Sequence, residues 1–156
     1  MPDPSIHVRA ADMADLDALT ALDHRCFDEA QRWSADAWQA ELIGDGLVLV
    51  ALAGSRIVSA ASFHVAGDSS DLFSVMTAPD WRGLGLATKL LAQGFEWAAS
   101  LGATEMVLEV RLGNGAQALY ADLGFTPLYE RTNYYGPGLH ALVMRRDLKG
   151  NFNGQA

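Results

Sequence analysis

Residues 72–101 read LFSVMTAPDWRGLGLATKLLAQGFEWAASL and contain three elements in succession. The apolar run at 72–77 predicts a β-strand, which ends at the turn Ala78-Pro79-Asp80. The segment Arg82-Gly83-Leu84-Gly85-Leu86-Ala87 follows, and a helical pattern begins near its end. Four apolar side chains of that helix share one stripe: Leu86, Leu90, Trp97 and Leu101. The stretch therefore predicts a strand, a glycine-bearing turn and a helix.

A turn of this kind leaves the backbone N–H groups of the helix N-terminus open to a ligand. The first N–H groups of a helix have no partner inside it, and the helix dipole adds partial positive charge there. Gly83 and Gly85 carry no side chain that would keep a phosphate away from this backbone. We therefore expect an anion site for a pyrophosphate. Neither G-x-G-x-x-G nor G-K-[ST] is present, so these residues leave the carrier of the pyrophosphate open.

The segment at 82–87 resembles the R-x-x-G-x-A form of the acetyl-coenzyme A (acetyl-CoA) signature of the GNAT N-acetyltransferases. Further motifs follow in the order typical of that family: Leu108-Glu109-Val110-Arg111, Ala118-Leu119-Tyr120, Leu123-Gly124-Phe125 and Asn133-Tyr134-Tyr135. Together with Trp33-Ser34 they resemble one bacterial subfamily, which acetylates the N-terminal alanine of a small-subunit ribosomal protein. The resemblance covers nearly the whole chain and is densest at 71–135.

Length and composition indicate one globular domain. The chain has 156 residues, of which 50% are hydrophobic and 19% charged, and this composition excludes global disorder. We expect a single domain at 1–148 and a disordered tail at 149–156, which contains two glycines and two asparagines. A single cysteine excludes a disulfide framework, and the four histidines have no metal-ligand spacing, so no metal is expected.

The charge balance favours a basic partner. Eleven basic residues against nineteen acidic ones give a formal net charge of −8, which argues against direct nucleic-acid binding and suits a basic peptide or amine. No signal sequence precedes the first predicted strand, and no apolar run approaches membrane-spanning length. We therefore expect a cytoplasmic protein without a membrane partner, present as a monomer or a weak dimer.

Strand and helix patterns alternate along the chain and predict a mixed α/β fold with helices on both faces of a twisted sheet. Predicted strands lie at 6–10, 47–53, 56–65, 72–77 and 104–111, with a final hairpin at roughly 128–134 and 139–147. Asp12 and Ser34 are the N-caps of the first two predicted helices, and the second ends near Gly44. Gly54-Ser55 predicts a two-residue hairpin turn. Residues 67–71 predict a polar turn, and Gly102 predicts the end of a helix before the next strand. A short last helix is predicted at 116–123, closed by Gly124.

This pattern agrees with the GNAT acyl-CoA N-acyltransferase fold. The resemblance implies that the strands at 72–77 and 104–111 splay apart, that acetyl-CoA enters there, and that the first two helices form the acceptor wall. The splay leaves backbone groups of the first strand unsatisfied, and pantetheine amides can bond them. The expected cofactor contacts are Val75, Met76, Thr77, Arg82, Gly83, Leu84, Gly85, Leu86, Ala87, Thr88, Asn114 and Tyr120.

Glu109 is the candidate general base. Strand alternation places Met106, Leu108 and Val110 on one face, and on the other Glu105, Val107, Glu109 and Arg111. A desolvated carboxylate has a raised pKa and can accept a proton from an ammonium group, whereas the simpler interpretation is an ion pair with Arg111. The resemblance implies the role of base, acting through water.

Tyr120 is the candidate general acid. The residues alone favour a core aromatic side chain with its hydroxyl at the rim, whereas the resemblance implies that Tyr120 protonates the departing CoA thiolate. Asn114 lies one residue closer to Tyr120 than the family spacing requires. A one-residue deletion within 112–117, absorbed by Gly113 and Gly115, would explain the short spacing. The contact of Asn114 with CoA is for this reason less certain than that of Tyr120.

The acceptor side leaves alternatives open. The subfamily usually has a longer, acidic loop before its last strand, whereas Tyr135-Gly136-Pro137-Gly138-Leu139-His140 is short. Tyr134 and Tyr135 either line the acceptor channel or pack as ordinary hairpin aromatics. A small-molecule amine acetyltransferase of the same fold is one alternative, and a CoA-binding module without turnover is another.

Cys26 is expected to be a small buried apolar residue, and the sequence shows no base that would activate its thiol. Direct transfer of the acetyl group is therefore favoured over an acetyl-cysteine intermediate. A backbone N–H near Met76 is expected to polarise the thioester carbonyl.

Overall fold

The computed structural model describes residues 5–113 and 115–148, which form seven β-strands, four α-helices and two single-turn 3₁₀ helices. The strands are β1 (Ile6–Ala10), β2 (Leu47–Ala53), β3 (Arg56–Ala66), β4 (Ser69–Thr77), β5 (Glu105–Arg111), β6 (Thr126–Arg131) and β7 (Ala141–Asp147). The helices are α1 (Leu16–Cys26), α2 (Ala35–Ile43), α3 (Leu86–Ser100) and α4 (Ala116–Asp122), with 3₁₀ turns at Met13–Asp15 and Pro79–Trp81.

The strands form one mixed sheet in the order β1-β2-β3-β4-β5-β7-β6. The pairs β1/β2, β2/β3, β5/β7 and β6/β7 are antiparallel, whereas β4 and β5 are parallel. The predicted fold class is confirmed. The β4/β5 ladder runs only from Ser69↔Glu105 to Asp71↔Val107, although both strands continue beyond these pairs.

The described residues fall into two compact units. The first contains the chain up to His64 together with Ser74–Gly94. Ser34 caps α2, since its hydroxyl accepts the Ala37 N–H at 3.1 Å, and Gly54 takes a positive φ of 63° at the predicted hairpin turn. Apolar side chains of α1, α2, β2, β3 and β4, with Ala78 directly after β4, form its core: Leu19, Leu22, Trp38, Val48, Val50, Leu52, Ala60, Met76 and Ala78.

Asp23 ties the segment between α1 and α2 to the core of this unit. Its carboxylate is fully buried and accepts two hydrogen bonds, from the Trp33 backbone N–H at 3.1 Å and from the Trp38 indole N–H at 3.0 Å. Burial raises the pKa of Asp23 above its usual value, because the charged form loses its hydration. The two donors are the reason that an acidic side chain is kept in an apolar core.

Replacing Asp23 with alanine is expected to destabilise the fold by about 2–4 kcal/mol, because the buried Trp38 indole N–H and the partly buried Trp33 backbone N–H would both lose this acceptor. Urea unfolding followed by circular dichroism measures the change. Asp17→Ala is the matched control, since Asp17 lies exposed in the first turn of the same helix and should cost much less. Equal losses in both variants would contradict the role given to Asp23.

The second unit contains Val65–Phe73 and the described residues from Phe95 onward. Burial alternates along β5, whereas β7, which lies between β5 and β6 in the sheet, has four consecutive buried residues. The edge strand β6 is exposed along its whole length and has an irregular register between Pro127 and Tyr129, a feature that discourages further pairing. The core of the second unit includes Phe95, Ala98, Met106, Leu108, Val110, Tyr120, Phe125, Val143 and Met144.

Several predicted boundaries are corrected. Residues 67–71 were predicted as a turn, but β4 begins at Ser69, because the hydroxyls of Ser69 and Ser70 donate to the side chain and the carbonyl of Glu105 at 2.9 and 2.7 Å. Leu101 was predicted on the buried stripe of the central helix. It follows the end of α3 and is 55% exposed, since the chain reverses at Gly102 (φ 96°).

Other differences are small. The first predicted helix is divided, because the capping box of Asp12 and Asp15 closes a 3₁₀ turn before α1 starts. The last hairpin has shorter strands and a longer connection than the predicted 128–134 and 139–147. Asn114 and the predicted tail at 149–156 lie outside the described residues. Among the described helices, none is both long and apolar enough to cross a membrane.

Candidate active site

The predicted anion site lies at the N-terminus of α3 in the first unit. Gly83 and Gly85 have φ values of 78° and 81°, which L-residues with a side chain adopt only with strain. The Lys89 N–H donates to the Gly85 carbonyl at 3.0 Å, so Gly85 is the residue at which the helix begins. The N–H groups of the first turn, at Leu86, Ala87 and Thr88, precede any possible intrahelical acceptor. The glycine-bearing turn and the helix that follows it lie where the sequence predicts them.

The side chains of this turn leave the backbone accessible. A Cβ atom added at Gly83 or Gly85 would meet no other heavy atom within 4 Å, so both positions border open space. Leu84 is exposed, whereas Leu86 is buried in the protein interior. The contribution of these leucines to an anion site would therefore come from their backbone N–H groups.

The C-terminal end of β4 is held by side chains of the first unit. The Ser59 hydroxyl donates to the Met76 carbonyl at 2.8 Å and lies 2.9 Å from the Thr77 hydroxyl. The Thr77 carbonyl accepts from Cys26 Sγ at 3.3 Å and from Arg82 Nε at 3.0 Å. The expectation of unsatisfied backbone groups at Val75–Thr77 is thus corrected for two carbonyls, which side chains of the chain itself already bond.

Cys26 differs from the predicted buried apolar residue. It is half-buried and bonds the Thr77 carbonyl, and burial is the main cause that raises the pKa of its thiol above the usual value. Arg82, which also contacts Cys26, opposes this rise. A thiol with a raised pKa is a poor nucleophile at neutral pH, which fits the expected direct transfer.

Glu109 lies on the half-exposed face of β5, as alternation predicts. Met106, Leu108 and Val110 are buried, and the Glu109 side chain keeps 29% of its exposure. The simpler interpretation named Arg111 as its partner, but the arginine that the structure brings to the Glu109 carboxylate is Arg131, at the end of β6. Hydrogen bonding with Glu109 also raises the pKa of Tyr134.

Two tyrosines and two arginines surround this carboxylate. The Arg131 guanidinium lies 4.1 Å from the centre of the Tyr134 ring, and the Arg111 guanidinium lies 5.7 Å from that of Tyr135. The two rings meet edge to face with their centres 5.0 Å apart. Carboxylates and aromatic faces are groups that bind cations, and here the two arginines occupy them.

The segment that carries these tyrosines is a tight turn. Asn133 takes a positive φ of 56°, its N–H donates to His140 Nδ1 at 2.9 Å, and its side-chain oxygen accepts the Gly138 N–H at 2.8 Å. The Tyr135 N–H donates to the Leu139 carbonyl at 3.0 Å. His140, which had no assigned role, therefore helps to hold the turn.

Tyr120 lies in α4 and is buried, with 7% exposure. Its ring meets Phe125 nearly edge to face with centres 6.0 Å apart, and Phe125 in turn lies 5.9 Å from Phe95. Burial, with a smaller contribution from Tyr135, raises the pKa of Tyr120 to about 12. The phenol therefore stays protonated at neutral pH, the state that a proton donor needs.

Sequence patterns missed two residues at these sites. Ser59 could have been singled out as a polar residue in the apolar run of β3. Arg131 carried no such signal, because its approach to Glu109 depends on the strand order. Among the residues that the structure describes, no group of three His, Cys, Asp or Glu side chains could hold a metal ion.

Comparisons with known proteins agree with this architecture. The sequence model of the Acetyltransferase (GNAT) family matches residues 13–125. The uncharacterized protein ML0378 of Mycobacterium leprae is 30% identical over 141 residues, which are 86% of this chain and 38% of that protein. The ribosomal protein bS18 alanine N-acetyltransferase of Haemophilus influenzae is 30% identical over 89 residues, or 57% of this chain and 61% of that protein. The chain thus covers less than two thirds of either relative.

Solved structures share the fold. The ribosomal-protein-S18-alanine N-acetyltransferase from Escherichia coli superposes with a TM-score of 0.84 at 24% identity, covering 97% of this chain and 99% of that one. The yncA protein from Salmonella typhimurium, solved with its cofactor acetyl-CoA, has a TM-score of 0.75 at 26% identity, covering 97% and 98%.

Proposed function

Because this chain belongs to the GNAT acetyltransferase family, we propose that it transfers the acetyl group of acetyl-CoA directly to an amine. The observation that carries the proposal is the turn before α3, in which two glycines with positive φ present the first N–H groups of the helix. The proposal takes residues 1–148 as one functional domain. It requires no metal and no covalent enzyme intermediate.

The cofactor contacts follow from the same turn. The N–H groups at Gly83–Thr88 would bind the pyrophosphate of acetyl-CoA, with Arg82 beside them, and the strand end at Val75–Thr77 would face the pantetheine. Asn114 and Tyr120 are proposed as further contacts. Acetyl-CoA supplies an activated thioester. The chain supplies orientation and the groups that move protons.

Three groups carry the proposed chemistry. Glu109 accepts a proton from the acceptor ammonium, directly or through water, so that the free amine can attack the thioester carbon. The Met76 N–H donates to the carbonyl oxygen, where negative charge develops as the C–N bond forms. Tyr120 gives its phenolic proton to the CoA sulfur as the C–S bond breaks. Each proton and leaving group then has a named donor or acceptor.

Replacing Glu109 with glutamine is expected to lower kcat/KM most at pH values below the pKa of the acceptor, about 7.7–8.0 for an α-amine, because the acceptor then arrives as ammonium. Activity should recover as the pH rises, since free amine becomes available without enzymic help. The measurement is kcat/KM against pH, with melting temperatures alongside.

Glu105→Gln is the matched control for this substitution. Glu105 shares the face and strand of Glu109 and is also paired with an arginine, Arg145. Its variant should keep the shape of the wild-type pH profile. If Glu109→Gln also kept that shape and only lowered the melting temperature, Glu109 would be a structural ion-pair partner.

For the acceptor, we propose the N-terminal alanine of a ribosomal protein, as the name of the Haemophilus influenzae relative describes for that protein. The net charge of −8 suits a basic peptide, and a ribosomal acceptor would place the reaction in the cytoplasm. Mass spectrometry of ribosomal-protein N-termini, after incubation with the purified protein and acetyl-CoA, tests this. Acetylation confined to one alanine terminus supports the proposal.

A small-molecule amine is the second candidate, favoured by the short, internally bonded turn between Tyr135 and Leu139. Acetyl transfer to small amines, with no ribosomal terminus modified, would select this acceptor class. CoA binding without release of free thiol from any amine would instead indicate a binding module. Thiol release therefore separates enzymes from binders, and mass spectrometry separates the two acceptor classes.

A further inference from the structure

We infer that Arg131 occupies the position on Glu109 that the acceptor's ammonium group must take, so that the acceptor binds by displacing this arginine. The inference rests on the proposed function, because it concerns the amine acceptor of Glu109. It makes Arg131 the residue that sets the affinity for the acceptor.

The register of the sheet explains how Arg131 reaches Glu109. Arg131 and Arg111 are both paired with Ala141 of β7, and Glu109 and Tyr129 are both paired with Val143. Directly opposed residues on neighbouring strands point to the same face, so Glu109 and Arg131 share a face with one strand between them. The methyl group of Ala141 is small enough for the long arginine side chain to extend past it to Glu109.

The contacts of Arg131 are those that an alkylammonium group would need. Its guanidinium is paired with the Glu109 carboxylate and lies 4.1 Å from the centre of the Tyr134 ring, and the same carboxylate raises the pKa of Tyr134. A carboxylate beside an aromatic face binds an ammonium by the same two interactions. An ammonium that approaches while Arg131 is in place meets a like charge.

Displacement of Arg131 requires little reorganisation. The side chains of Arg131 and Glu109 are 45% and 29% exposed, and every residue of β6 is exposed. Exposed ion pairs contribute little to stability, so the arginine can exchange its partner for water. The pair of Glu105 on β5 with Arg145 on β7 is tied more firmly, because Arg145 also contacts Asp147 at 2.7 Å and Glu105 accepts from Ser69 at 2.9 Å.

The test compares Arg131→Met with the wild-type protein, using a synthetic peptide with a free N-terminal alanine as the probe. Removal of the competing cation should lower KM for this peptide roughly 5- to 10-fold, with kcat within about twofold, since one exposed ion pair and one cation–π contact no longer oppose binding. Arg131→Lys keeps the charge and should stay close to wild type. Arg145→Met is the matched control, because it changes the net charge equally and should leave KM unaltered.

A binding measurement separates this inference from the proposed function. Calorimetry with CoA-saturated protein should show the same 5- to 10-fold tightening for the free peptide in Arg131→Met, and none for its N-acetylated form, which lacks the ammonium. Tightening without thiol release would support the inference and overturn the enzyme function. The inference would be overturned if Arg131→Met bound the free peptide as weakly as wild type or more weakly, or if neither protein bound it. A kcat that falls more than tenfold would also overturn it, because Arg131 would then be a positioning residue.

Discussion

Replacing Tyr120 with phenylalanine is expected to lower kcat by roughly 10²- to 10⁴-fold, the usual cost of losing a general acid. The substitution removes only the hydroxyl group. The ring keeps its contact with Phe125, whose centre is 6.0 Å away, so the fold and the affinity for CoA should change little. The measurements are kcat by thiol release, Kd for CoA by calorimetry, and the melting temperature.

Because burial raises the pKa of Tyr120 to about 12, the wild-type phenol stays protonated throughout the usual assay range. Loss of activity in the phenylalanine variant should therefore be independent of pH below that value. Tyr129→Phe is the matched control, since Tyr129 is an exposed tyrosine of the same unit and its hydroxyl should not affect turnover. Turnover of Tyr120→Phe within a few-fold of wild type would show that Tyr120 only packs.

Replacing Gly85 with aspartate is expected to weaken CoA binding roughly 5- to 1,000-fold. This range follows from like-charge repulsion of about 1–4 kcal/mol at about 4 Å, depending on the local dielectric. The added carboxylate would point into the open space beside the helix N-terminus, where no heavy atom lies within 4 Å of a Cβ. Calorimetric titration with CoA measures the change, and unchanged affinity would remove the assignment of this turn as the pyrophosphate site.

Two controls separate charge from backbone strain. Gly85→Ala imposes the strain of a side chain at φ 81° without the charge, so it should lower stability and reduce CoA affinity much less than aspartate does. Gly54→Asp places the same carboxylate at a positive φ of 63° in the hairpin turn between β2 and β3. It should match the stability loss of Gly85→Asp and leave CoA binding intact. Arg82→Ala should affect CoA less than Gly85→Asp, since the proposed site consists mainly of backbone N–H groups.

Local patterns predicted most elements of this fold. Residues of β5 alternate between buried and half-exposed as their period of two requires, Ser34 caps α2, and the Gly54 turn joins β2 to β3. Each of these features depends on neighbouring residues, so its signal is present in a short stretch of sequence. The polar start of β4 was missed, since the partner of Ser69 and Ser70 is Glu105, more than thirty residues away.

The candidate site divides in the same way. The positive φ values at Gly83 and Gly85, and the placement of Glu109 on the half-exposed face of β5, could be expected from residue type and spacing. The arginine that pairs with Glu109 could not be expected from residue type and spacing. Alternation pointed to Arg111 on the same strand, whereas Arg131 reaches Glu109 because β5 and β6 both pair with β7, in registers that place the two side chains on one face.

The sequence by itself therefore determined the strand–turn–helix unit with its glycines, the face of Glu109 and the family of the chain, because backbone conformation and strand period act over a few residues. Only the tertiary structure decided that Arg131 and Tyr134 contact Glu109, that Ser59 and Cys26 bond the end of β4, and that Asp23 accepts from two tryptophans. These contacts join residues that strand order and helix packing bring together across long stretches of chain, and no local period encodes them.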